Sequence, residues 1–272
     1  MIDALEQRVC EHIASREDEL VELLQALIGF DTVARDISAP GGDVAVLQRY
    51  VADRLGGHGA EVAVEEPETA GLAGHPFIAD GFSFAGRPQL VARFPGVGGG
   101  RTLLLNGHID VVSVEPREAW TADPFGGEVR DAAVYGRGAC DMKGGVAAMI
   151  FAAEAVAGLG IRLRGDLLAN TVSDEETTGA GGLVTARTLS ADAAIVPEPS
   201  ALDVWIACRG SLLATITVEG RSGHAGIPPR HHGEGGAVNA IEKAAYLLDA
   251  IRRLNEEWVL RQRHPYLARP SA

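Results

Sequence analysis

The stretch "LLLNGHIDVVSV", residues 103–114, ends a very apolar run on an imidazole and a carboxylate two positions apart. In an extended chain, side chains at i and i+2 leave the same face, so His108 and Asp110 point into one space. A run this apolar reads as a strand buried inside a sheet. Its polar end suits a metal site, and it equally suits a hydrogen-bonded strand terminus.

Working outward from that strand, apolar residues recur at helical spacing over residues 2–28 (Ile2, Leu5, Val9, Ile13, then Leu20, Leu23, Leu24, Leu27), with "SRED" at Ser15 reading as a capping box between two helices. "DVAVLQRYVADRL" repeats the helical pattern. Short β-rich runs follow: "EVAVEE", "QLVARF", the opening strand, and "GEVRDAAVYGRG", which reads as a hairpin. A helix after Asp141, the strand "DLLANTVS", a helix near "GLVTARTL" and the strand "DAAIVPE" complete an alternating series. Such alternation implies an α/β sheet with helices on both faces, with function at strand ends. From "ACRGSLLATITVEG" the texture changes to alternating, half-exposed strands, and a long amphipathic helix follows over "GGAVNAIEKAAYLLDAIRRLNEEW". The expected division is therefore residues 1–208 and 209–272.

Composition narrows the function classes. The chain has 272 residues, 46% hydrophobic and 22% charged, and a formal net charge of -13 without a Lys/Arg cluster. Nucleic acid and anionic membrane are poor partners for such a surface. Cys10, Cys140 and Cys208 are an odd, scattered set with no C-x-x-C pair, which fits a reducing cytoplasm better than a disulfide framework or a thiolate zinc site. Cys140 is expected as a small buried residue. The first twenty residues carry charges where a signal peptide needs an unbroken apolar region, and "GGVAAMIFAAEAVAGLG" is too short to span a bilayer.

His108, Asp110, Asp141, Glu175, Glu176 and Glu198 all fall in loops that follow apolar strands. In an open α/β sheet such strand ends line one crevice. Five carboxylates there would repel one another unless cations neutralised them. A mixed imidazole and carboxylate set favours zinc, with cobalt or manganese possible. Taken singly, each motif has a bland alternative: a hydrogen-bonded loop pair at His108, a helix cap at Asp141, a solvated turn at "DEE", a cap at Glu198.

Together, "NGHIDVV", "YGRGACDMKGG", "SDEETTG", "VPEPS" and "GRSGHAGIP" occur in an order that resembles the zinc amidohydrolases that include acetylornithine deacetylase, succinyl-diaminopimelate desuccinylase, aminoacylase and glutamate carboxypeptidase. The resemblance implies a catalytic domain built on a mixed central sheet, followed by the first part of an α+β dimerisation or lid domain. It implies that His108, Asp141 and Glu198 bind a first zinc, that Asp141 bridges to a second held by Glu176, and that the Asp141–Met142 peptide is cis. Asp110 would orient His108, Glu175 would be the general base, and His224 would reach the developing oxyanion, often across a homodimer. The implied substrate is a small N-acyl amino acid.

One further histidine of the family's second site comes from a segment that returns after the smaller domain, and this sequence stops before it. The expectation is one tightly held zinc on the residues present, and a long helix whose apolar face (Val238, Ile241, Ala245, Leu248, Ile251) lacks part of its cover. The competing expectation is a non-catalytic member that binds one metal or a protein partner.

Overall fold

A computed structural model of the chain describes residues 3–35, 37, 42–72, 74–76, 78–210, 214–224, 226 and 236–267. Two units separate by their internal packing, residues 1–202 and 203–272.

The first unit opens with helices α1 (Ala4–Ala14), α2 (Glu17–Ile28) and α3 (Val44–Gly57). The capping box expected at Ser15 forms instead at Asp3, whose carboxylate accepts from the Leu5 and Glu6 amides while Glu6 reaches back to the Asp3 amide. Ser15 sits at the end of α1 and donates to the His12 carbonyl, and α2 starts without a side-chain cap. "DALE" at 3–6 sets Glu6 three residues after its cap, where "SRED" has the shorter Asp18, and it stands at a true helix start.

The strands among the described residues of this unit follow the sequence expectation closely: β1 (Glu61–Glu65), β2 (Gln89–Phe94), β3 (Leu103–His108), the hairpin β4 (Glu128–Arg130) and β5 (Ala133–Tyr135), β6 (Leu167–Val172) and β7 (Ala193–Ile195). Helices α4 (Lys143–Gly158) and α5 (Ala180–Thr188) lie between them. The main sheet runs β1-β2-β6-β3-β7, with β1, β2 and β6 antiparallel in turn and β6, β3 and β7 parallel. β6 is buried along its whole length. Alternate residues divide between the faces: Leu167 and Ala169 join the core formed with α2, α3 and α4, while Asn170 accepts a hydrogen bond from Thr185 of α5 at 2.7 Å. Helices thus cover both faces.

The parallel register matters for function. His108 pairs with Val172, and Leu105 pairs with Ile195, so the residues just past β6 and β7 arrive beside His108.

In the second unit, α6 (Ala240–Arg261) is capped by Asn239, which accepts from the Ile241 and Glu242 amides. α6 buries none of its residues, in line with the expected uncovered face, and Ile241 is 81% and Leu248 58% exposed. The alternating segment at 207–220 forms no strand among its described residues; Arg221 makes a single bridge to Val238. Alternation prepares a chain for a ladder, but a strand exists only where a neighbour takes up its N–H and C=O groups. Among the described residues of 203–272, the neighbour next to this segment is the single bridge of Arg221 to Val238. Residues 211–213 of this segment, and Gly235 at the expected helix start, lie outside the described residues.

The core also contains an ion pair, Arg54 to Glu154, with Nε–Oε1 2.5 Å and Nη2–Oε2 2.9 Å. The Glu154 side chain is fully buried and that of Arg54 one quarter exposed. Removing the arginine strands a buried carboxylate, whereas removing both leaves an apolar gap to fill. Arg54→Leu is expected to cost about 3–5 kcal/mol. The Arg54→Leu/Glu154→Leu pair should recover most of it, as measured by urea unfolding midpoints.

Candidate metal centre

His108 is the last residue of β3 and is 2% exposed. Its Nδ1 lies 2.9 Å from the backbone carbonyl of Asp110. A carbonyl oxygen only accepts, so Nδ1 carries the hydrogen, and a neutral ring presents the lone pair of Nε2 on its other side. That nitrogen faces Asp141 Oδ1 at 3.1 Å, Glu175 Oε2 at 3.8 Å and Glu198 Oε1 at 3.9 Å. A lone pair aimed at three carboxylates calls for a cation between them, either a proton or a metal. Burial pushes the imidazole down, but Asp110, Glu175 and Glu198 outweigh it, and its pKa ends above the ordinary value.

The orienting partner differs from the expected one. The Asp110 carboxylate stands 3.8 Å from Nδ1, while its backbone carbonyl makes the bond. The carboxylate turns to the neighbouring loop and accepts from the Glu175 amide at 3.2 Å and the Glu176 amide at 3.0 Å. Asp110 is 3% exposed; burial pushes its carboxyl up, against the pull of His108 and of these two amides. One residue therefore holds both the imidazole and the acidic loop.

Asp141 sits just before α4, across a cis peptide to Met142. It does not cap that helix: Met142 occupies the cap position and no side-chain cap bond forms. Met142 is fully buried, and its sulfur accepts from the His108 amide at 3.2 Å. Glu198 is brought in by close packing of α4 on the chain after β7. A Cβ on Gly145 would stand 2.1 Å from the Pro197 carbonyl oxygen, so only glycine allows this approach.

The cluster suits a metal ion. One donor atom from each of His108, Asp141 and Glu198 lies within 4.8 Å of the others. A tetrahedral zinc with bonds near 2.0–2.2 Å spaces its ligand atoms about 3.3–3.6 Å apart, and the 3.1 and 3.9 Å separations from Nε2 bracket that. Glu175 and Glu176 complete the acidic rim. Burial leads in raising the carboxyls of Glu175, Glu176 and Glu198, joined by repulsion from neighbouring acids, and Glu176 reaches about 7. A divalent cation reverses that repulsion.

Of the residues singled out in the sequence, His108, Asp141 and Glu198 form the cluster, Glu175 stands beside it, and Asp110 supports the loop carrying Glu175 and Glu176. His224 lies exposed in the second unit, where its Nδ1 accepts from the Gly226 amide at 3.1 Å. Cys140 is exposed, contrary to expectation, because the side chain beside the cluster faces solvent.

Sequence reading missed Lys143. It is fully buried, and its Nζ donates to the Leu27 and Phe30 carbonyls at 2.8 and 2.9 Å, tying the end of α2 to the start of α4. Burial pushes its pKa down to about 7, against Asp31, Asp43 and Asp110. A lysine two residues after a ligand in a small-residue run was the available signal.

Fold and site together define an α/β protein organised around a histidine-and-carboxylate cluster that could hold a metal ion, at the carboxyl ends of parallel strands. The chain belongs to peptidase family M20/M25/M40, whose sequence model matches residues 104–258. It is 31% identical over 274 residues to an N-formyl-4-amino-5-aminomethyl-2-methylpyrimidine deformylase of Bacillus subtilis, covering 97% of this chain and 58% of that protein. It is 41% identical over 158 residues to a succinyl-diaminopimelate desuccinylase of Xanthomonas euvesicatoria, covering 54% of this chain and 40% of that one. Human carnosine dipeptidase 1 shares the fold, with a TM-score of 0.58 and 24% identity over 75% of this chain and 42% of its own. The chain thus spans about half the length of the curated relatives it matches. No helix among the described residues is long and apolar enough to cross a membrane.

Asp110→Asn offers one acceptor oxygen where two amides bind and turns an NH2 group against the other. Metal affinity is expected to fall ~10–100-fold, as measured by competition with a chelating dye.

Proposed function

We propose that this chain carries the machinery for hydrolysing the amide bond of a small N-acyl amino acid or related N-acyl amine, using a divalent metal. The observation that carries the reading is the fixed tautomer of His108, whose Nε2 opens toward Asp141 and Glu198. The names of the two relatives describe removal of a formyl and of a succinyl group, which supports deacylation as the reaction class.

His108, Asp141 and Glu198 would hold one zinc, and Glu176 with Asp141 part of the site for a second, with cobalt or manganese able to replace zinc. Zinc, when bound, supplies Lewis acidity, which acidifies water and polarises the scissile carbonyl. Glu175 takes the proton of the attacking water and passes it to the leaving amine. Two features suit it to this work: its carboxylate lies 3.8 Å from His108 Nε2, and burial and its acidic neighbours raise its proton affinity. Asp110 keeps the Glu175 backbone in register with the imidazole. His224 belongs to the reading as the donor to the developing oxyanion, and residues 203–272 as the start of a homodimerising or lid domain. Residues 1–208 would then be the catalytic domain. Free, exposed cysteines suit a reducing cytoplasm.

Glu175→Gln keeps the shape and loses the base. It is expected to retain metal while hydrolysis of N-acyl substrates falls ~10²–10⁴-fold. His108→Ala should lose the metal itself. The unsubstituted chain should hold about one zinc after dialysis, since three protein ligands make a competent site. Elemental analysis and assays on N-formyl, N-acetyl and N-succinyl amines test both variants; metal lost from Glu175→Gln, or kept by His108→Ala, would reverse the assignments.

A further inference from the structure

The proposed metal chemistry uses Glu175 and Glu176 but leaves Asp174, the residue before them, without a part. Asp174 is 2% exposed and adopts φ 66, a left-handed conformation that a short polar side chain tolerates better than most. Its carboxylate is enclosed by donors. Arg87, whose side chain is 6% exposed, donates from Nη1 to Oδ1 at 3.1 Å. The hydroxyls of Thr177 and Thr178 donate to Oδ1 and Oδ2 respectively. The Asp174 carbonyl accepts from the Gly179 amide at 2.9 Å, closing the turn.

Arg87 is itself held in place. Its amide donates to the Phe84 carbonyl at 2.8 Å, its carbonyl accepts from the Ser173 hydroxyl at 3.2 Å, and its guanidinium stands 5.6 Å over the Phe82 ring. Phe82 meets Phe84 edge-on at 4.8 Å in a small separate core that also contains Ala180. The turn after β6 is therefore gripped from two sides. Asp110 takes the amides of Glu175 and Glu176, and Arg87 takes the side chain of the residue before them.

We infer that Arg87 and Asp174 are positioning residues for the metal centre, a buried clamp that fixes the left-handed turn from which Glu175 and Glu176 reach the ligand cluster. Geometry supports this beyond simple fold stability. In an L-residue the left-handed turn is unfavourable by itself, and releasing its side chain lets the backbone return to a commoner conformation. Such a return would swing both following carboxylates. The clamp also places a cation behind the acidic rim, offsetting the charge of Asp174 without occupying the cluster.

The inference rests on the proposed metal site, and cobalt(II) alone serves as the probe because its visible spectrum reports ligand geometry without turnover. Arg87→Gln and Asp174→Asn are expected to weaken Co²⁺ binding ~10-fold or more and to change the visible band, with Arg87→Lys recovering part of the affinity. Hydrogen exchange should quicken at the Glu175 and Glu176 amides in the same variants. Arg54→Leu, which breaks the remote buried pair, should lower stability and leave the Co²⁺ spectrum unchanged. If Arg87→Gln does not accumulate as folded protein, Asp174→Asn decides, because asparagine also tolerates the left-handed turn. Wild-type Co²⁺ affinity, spectrum and exchange in the clamp variants would overturn the clamp while leaving the metal site standing. No Co²⁺ band in the unsubstituted chain would overturn both.

Discussion

An imidazole has two nitrogens, and when one is committed to a carbonyl the other has only its lone pair to offer. In this protein the carbonyl belongs to Asp110, two residues beyond the ring it holds, at a distance of 2.9 Å. Everything at the site depends on that bond. With Nδ1 as donor, Nε2 faces the acids at 3.1–3.9 Å with a lone pair that can take a proton or a metal. With the opposite tautomer it would donate a hydrogen bond to a carboxylate and have no lone pair to offer a metal. The bond is local and buried, spanning the two residues from the end of β3 to Asp110.

The parallel half of the sheet converts that local bond into a site. β6 and β7 flank β3 in register, so Asp174–Glu176 emerge beside His108 on one side and Glu198 on the other. The antiparallel strands β1 and β2 bring no ligand of their own. Asp110 links the two levels of organisation, since its backbone fixes the ring and its side chain fixes the loop after β6. α4 adds Asp141 from the helix side, at a spacing that depends on Gly145 lying against Pro197. Four segments far apart in sequence meet because each is anchored in backbone geometry as well as in side chains.

Much of this was legible in the sequence, and the exceptions share a physical pattern. Strand and helix periods placed β1, β2, β3, β6 and α3 closely, because each is half or wholly buried and its apolar residues record the burial. Ligand candidates were legible because acids and histidines at the ends of apolar runs have few bland reasons to recur. Three features were not. The choice between Asp3 and Ser15 as the capping residue turns on which one stands at a helix start, which two patterns that each set an acid three residues on, Glu6 and Asp18, do not express. That Asp110 orients His108 through its carbonyl is invisible to any reading of side chains. Lys143 and Arg87 carry no mark of burial in the sequence, and only the fold shows that their partners are carbonyls at the end of α2 and a buried aspartate. The segment near residues 207–220 failed for the opposite reason: its alternation is real, but alternation specifies a face and not a partner.

The arrangement also carries an energetic tension that belongs to its function. Two ionised carboxylates with oxygens 4.8 Å apart, the widest separation in the cluster, repel by about 3.5 kcal/mol at an effective dielectric near 20, before solvent screening of the half-exposed Asp141. Glu175 and Glu176 add to the same field, and this repulsion joins burial, the leading cause, in raising the proton affinities of Glu175, Glu176 and Glu198. Such crowding persists only because the supporting bonds are made elsewhere, by Asp110 on the loop amides and by Arg87 on Asp174. A scaffold that holds acids together against their repulsion has already met the cost of assembling the ligands, so an arriving cation gains nearly the full attraction of the cluster. On the proposed reading, preorganised repulsion is the form in which the fold stores affinity for a metal.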